Sequence, residues 1–103
     1  MNAKQISQQF YKQNQSWHYE NILDCDGKKL KVHIRRNAYD KQSYLHGYIF
    51  DPVASKWNLI VSRPIEGANC ESVSYTDRKE VVNEGLFVED SNSIIEELKE
   101  IIA

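Results

Sequence analysis

The stretch Trp17-His18-Tyr19-Glu20-Asn21-Ile22-Leu23-Asp24-Cys25-Asp26-Gly27-Lys28-Lys29-Leu30-Lys31-Val32-His33-Ile34-Arg35-Arg36 decides the fold. Asp26-Gly27, at its centre, is a leading dipeptide of the two-residue hairpin turn, because glycine supplies the positive φ that a type I′ turn demands. With the turn placed there, Cys25 faces Lys28, Asp24 faces Lys29, Leu23 faces Leu30 and Ile22 faces Lys31. Further out, Asn21 meets Val32, Glu20 meets His33 and Tyr19 meets Ile34. One face of the hairpin collects Tyr19, Leu23, Leu30, Val32 and Ile34. The other carries Asp24–Lys29 and Glu20–His33 as facing charge pairs, each favouring this register by a few tenths of a kcal/mol. A slip of one residue would turn the apolar set into water.

A second hairpin follows. Ser43–Asp51 and Lys56–Arg63 flank Pro52-Val53-Ala54-Ser55, whose proline ends a ladder. Pairing Asp51 with Lys56 sets Phe50 against Trp57, Tyr48 against Leu59 and His46 against Val61. The opposite face holds Leu45, Ile49 and Ile60, with Gly47 facing Ile60. Both faces of this hairpin are apolar, so both need a cover.

The flanks are read more coarsely. Ala3, Ile6, Phe10 and Asn14 recur at helical spacing within residues 2–16, which predicts a short amide-rich helix. Residues 69–76 alternate Glu71, Val73 and Tyr75 with Cys70, Ser72 and Ser74, as a fifth strand would. Asp77 with Glu80 reads as a capping pair for a helical turn ended by Gly85, and Leu86-Phe87-Val88 as a small edge strand or packed loop. Ser93 with Glu96 makes a capping box ahead of Ile94, Leu98 and Ile101, which predicts a C-terminal helix that covers the sheet. The expected fold is α+β: a two-layer sandwich with an antiparallel meander of four to five strands and helices at both ends.

Composition sets the outer limits. A chain of 103 residues is one domain, 1–103, with enough length for a real core. Its formal net charge of −2 excludes a uniformly basic coat. The total conceals an asymmetry: residues 1–50 carry eight Lys/Arg against four Asp/Glu, or +4, and residues 51–103 carry five against eleven, or −6. The longest aliphatic run, Leu59-Ile60-Val61, is far too short to cross a membrane, and Met1-Asn2-Ala3-Lys4-Gln5 lacks the apolar core of a secretion signal. Cys25 and Cys70, with no C-x-x-C, then read as reduced thiols in a cytoplasm.

No phosphate-loop, dinucleotide, nucleophile-elbow or zincin motif occurs, so the expectation is a non-enzymatic protein without a cofactor. Three surfaces remain as candidates. His18, Glu20 and His33 share one hairpin face with donor types suited to a metal or to proton transfer, although Arg35 opposite His18 repels a cation. Lys29, Lys31, His33 and Arg35 project from one face of a strand that ends in Arg36, a ribbon able to meet phosphates or an acidic protein. Tyr44, Tyr48 and Trp57 suit an interface, a pocket or a core, and Leu45, Ile49 and Ile60 form a surplus apolar face. The first expectation is a module that binds another protein, itself included, through Leu45, Ile49 and Ile60. The alternatives are a nucleic-acid-binding module on the basic strand and a small-molecule pocket on the aromatic face.

Overall fold

The computed structural model describes residues 3–39 and 43–103; Met1 and Asn2, on which the signal and helix readings partly rest, lie outside the described residues. Five antiparallel strands form a meander in the order β1-β2-β3-β4-β5: Ala3–Gln13, Ser16–Cys25, Lys28–Arg36, Tyr44–Asp51 and Lys56–Pro64. A 3-10 helix (Gly67–Ser72) leads into a two-stranded ribbon, β6 (Val73–Thr76) and β7 (Lys79–Val82). The helix α1, Glu84–Ile102, then packs across one face of the large sheet. This is the expected α+β sandwich, with its helical layer on one side.

The central hairpin has the register its turn dictates, from Cys25–Lys28 to Tyr19–Ile34 and on to Trp17–Arg36. Asp26 and Gly27 have φ of 53° and 90°, both positive as the turn type requires. The same conformation recurs at Asn14-Gln15 and at Asp77-Arg78, which close the β1–β2 and β6–β7 hairpins. Neither of those dipeptides contains glycine, and both were read otherwise from sequence. Residues 3–13 therefore form a strand, not a helix: Phe10 and Gln8 face α1 while Tyr11 and Gln9 face away. A bulge between Gln5 and Ser7 breaks the alternation and gives the segment its apparent helical period. Asp77–Glu80 is the turn and start of a ribbon, not a helical turn, and the strand expected over 69–76 begins only at Val73.

Leu86, Phe87 and Val88 belong to α1, which starts at Glu84, nine residues before the expected Ser93. Phe87, Ser91, Ile94, Ile95 and Leu98 make its buried stripe at spacings of three and four. The polar run Asp90–Ser93 disguised this continuity, because Ser91 is buried on the inner face.

The core lies between α1 and the sheet: Tyr19, Leu23, Leu30, Val32, Ile34 and Leu45 against Phe87, Ile94 and Leu98. Gly47 marks the closest approach. A Cβ there would stand 2.8 Å from Ile94 Cγ2 and 3.2 Å from Leu98 Cδ1, so only glycine lets the helix seat. The second hairpin keeps its expected register from Asp51–Lys56 to Tyr48–Leu59; a bulge then leaves Ile60 unpaired, and Gly47 faces Val61 rather than Ile60. Val61 packs on the core, and Ser62 takes the place opposite His46.

Candidate functional site

One helix covers one face of the sheet, and the other face is open. The open face is built by strand alternation: Tyr11 on β1; His18 and Glu20 on β2; Lys29, Lys31, His33 and Arg35 on β3. Tyr44, His46, Tyr48 and Phe50 follow on β4, and Trp57 and Leu59 on β5. Side chains on alternate positions of neighbouring strands stand side by side, which brings their rings into register.

The rings form a continuous row. Tyr11 stacks on His18 at 4.9 Å between centroids, and His18 on His33 at 5.1 Å. His33 meets Tyr44 edge to face at 5.4 Å, Tyr44 stacks on His46 at 3.9 Å, and His46 meets Tyr48 at 6.1 Å. Lys31 Nζ lies 4.6 Å from the Tyr48 ring and 5.0 Å from that of Trp57, which packs on Phe50 at 5.1 Å. Side chains stand roughly perpendicular to a sheet. Rings stacked across strands therefore offer solvent their positively polarised edges, together with imidazole nitrogens and phenol oxygens.

At neutral pH this row carries no charge of its own. Burial chiefly, with smaller contributions from His18, His46 and Lys31 and against the opposing pull of Glu20, lowers the imidazole of His33 to about 4. His18 is also lowered, chiefly by burial and then by Arg35, and His46 by burial. The phenols of Tyr11, Tyr44 and Tyr48 are raised by burial first, with Glu20 adding to each. The fixed charges among the rings are the cations Lys29, Lys31 and Arg35 and the anion Glu20.

Of the residues singled out by sequence, the structure gathers His18, Glu20, His33, Lys29, Lys31, Arg35, Tyr44, Tyr48 and Trp57 on this face. Arg36 points to the helix side, where it donates to the Cys70 carbonyl. Leu45 is buried under α1 and Ile49 packs on the same core, so these two are not an exposed contact surface; Ile60, in the bulge, is exposed. The surplus apolar face thus has its cover, which is α1, seated at Gly47 through Ile94 and Leu98. His18 Nδ1 and His33 Nε2 lie 2.9 Å apart, a hydrogen bond that engages one nitrogen of each ring. Among the described residues, no group of three or more His, Cys, Asp or Glu side chains is arranged to hold a metal ion. Neither Cys25 nor Cys70 forms a disulfide.

Sequence reasoning missed Tyr11 as a member of the row, whereas His46 lies, as expected, on the aromatic face beside Tyr44 and Tyr48. The signal for Tyr11 was present, since Tyr11 and His18 flank the Asn14-Gln15 turn symmetrically. The face opposite carries the acids: Glu84, Glu89, Glu96 and Glu100 are exposed on α1. These acids lie on the side of the sheet away from Lys29, Lys31 and Arg35.

No family model matches the chain, and neither does any curated protein or solved structure compared with it. Among the described residues, no helix is long and apolar enough to cross a membrane.

Proposed function

We propose that this protein is a non-enzymatic binding module whose open sheet face receives single-stranded nucleic acid. The observation that carries the reading is the ring row from Tyr11 to Tyr48, joined through Lys31 to the Trp57–Phe50 pair, with Lys29 and Arg35 set beside it. Aromatic edges beside a line of cations suit an unpaired strand, because ring edges, imidazole nitrogens and phenol oxygens can meet the π-faces and polar edges of splayed bases while the cations meet the anionic phosphates. Neutral histidines favour base contact, and the acidic helix on the far side biases an approaching polyanion toward the sheet.

Self-association through the same face is disfavoured. A two-fold contact would set Lys29, Lys31 and Arg35 against their own copies. An acidic protein remains the competing occupant, supported by Leu59 and Ile60, which are 51% and 43% exposed beside Trp57.

The test is fluorescence anisotropy of a labelled single-stranded oligonucleotide. The intact protein binds, the combined K31E and R35E variant loses at least about tenfold in affinity, and K99E on the helix side does not. Absence of binding by the intact protein overturns the reading. If poly-glutamate binds in its place and K31E/R35E abolishes that, the partner is an acidic protein.

A further inference from the structure

A second site lies at the end of the sandwich, sharing Lys29 and Phe50 with the margin of the open face. The ladder between β3 and β4 stops at Leu30–Ile49, while β2–β3 runs on to Cys25–Lys28 and β4–β5 to Asp51–Lys56. Both hairpins therefore project beyond their last shared rung, and the C-terminal end of α1 closes the gap between them from below. The resulting cleft has a volume of about 380 Å³, within the roughly 300–1,000 Å³ typical of ligand pockets. Its apolar wall is Ile49, Phe50, Pro52 and Ile102; the charged side chains that line it are Lys28 and Lys29.

We propose that this cleft binds a medium-chain fatty carboxylate, with the alkyl chain along Ile49, Phe50, Pro52 and Ile102 and the carboxylate on Lys28 and Lys29. Charge complementarity selects that class: an apolar wall with two ammonium groups and no carboxylate repels a cation and leaves a neutral alkyl chain without a head contact. Asp24 and Asp51, which flank the two turns, are engaged elsewhere. Asp24 Oδ1 accepts from the Gly27 amide at 2.8 Å, and Asp51 Oδ1 from the Val53 and Ala54 amides at 2.9 and 3.2 Å. Lys28 Nζ donates to the Ile102 carbonyl at 3.3 Å in an exposed position, a long bond that a carboxylate readily replaces with a charge-assisted one. Lys28 pairs with Cys25 on the helix side of the sheet, so this cleft is independent of the open face in its key cation.

The experiment is calorimetric titration of the intact protein with hexanoate, octanoate and decanoate, and with decanol and decyltrimethylammonium for comparison. Binding is expected to saturate at one ligand per chain and to tighten by up to about four-fold for each buried methylene. Decanol and the decyl cation bind at least about tenfold more weakly than decanoate. K28E, or I102F, which fills the floor, abolishes decanoate binding, with a circular dichroism melt confirming the fold; K28E leaves oligonucleotide binding unchanged. Equal affinity for decanol, no dependence on chain length, or undiminished binding in both K28E and I102F overturns the proposal.

Discussion

His18 Nδ1 and His33 Nε2 stand 2.9 Å apart on neighbouring strands, so one ring must donate a proton and the other accept it. Two imidazolium rings cannot hold this geometry, because both nitrogens would then be donors. The contact ties the integrity of the ring row to the neutral state of His33, which lies at its centre between His18 and Tyr44.

Acid should therefore weaken the fold in a defined window. The unfolded histidine titrates near 6.5 and the folded one at about 4, so the unfolded chain binds the extra proton between these values. Stability is complete above about pH 6.5 and falls as the pH drops toward 4, by roughly 1–2 kcal/mol after allowance for solvent screening of a half-buried ring. Urea unfolding at pH 7 and at pH 4.5 measures the loss. In His33→Phe, which keeps a ring but cannot titrate, the loss should be smaller by that amount; an identical pH dependence would refute the assignment.

Gly47 predicts a packing penalty. Its missing Cβ is replaced in space by Ile94 Cγ2, 2.8 Å from where the atom would lie, and by both Leu98 methyls at 3.2 and 3.3 Å. Gly47→Ala should destabilise by about 1–3 kcal/mol as the helix shifts away, and Gly47→Val by more. Thermal melts of the two variants decide it, and an unchanged melting temperature in the alanine variant contradicts the seating of α1 described above.

Glu80 joins the small ribbon to the large sheet. One oxygen, Oε1, accepts from Lys12 Nζ at 2.9 Å and from Trp17 Nε1 at 2.8 Å. These two donors hold its carboxyl below the usual range. Glu80→Ala should cost roughly 1 kcal/mol and speed amide exchange in β6 and β7 before the rest of the sheet. Glu80→Gln keeps an acceptor for Trp17 and should cost less. Uniform exchange behaviour across both sheets in Glu80→Ala would show that the ribbon does not depend on this contact.

How much of this was legible in the sequence depended on the chemistry of the turns. Asp26-Gly27 announces its conformation, and from it came every pair between Cys25–Lys28 and Tyr19–Ile34, hence the face shared by Lys29, Lys31, His33 and Arg35. Asn14-Gln15 and Asp77-Arg78 adopt positive φ without glycine, at a cost met by the packing of their strands, so no local pattern marks them. Bulges at Ile6 and Ile60 shift the alternation by one residue, which hid β1 and reversed the assignment of Val61. The contact surface moved for a different reason. Leu45 and Ile49 looked unsatisfied because both faces of their hairpin are apolar and no pattern says which one α1 takes; Ile94 and Leu98 seat at Gly47 between them.

The most direct test of the open face as a nucleic-acid platform is the salt dependence of oligonucleotide affinity. With Lys29, Lys31 and Arg35 each neutralising one phosphate, the plot of log affinity against log salt should have a slope of about −2, and Lys31→Ala should reduce its magnitude by about 0.7. Tyr44→Ala with Trp57→Ala should lower affinity at every salt concentration while leaving the slope unchanged. A slope near zero, or a slope that Lys31→Ala does not alter, would contradict the assignment of this face.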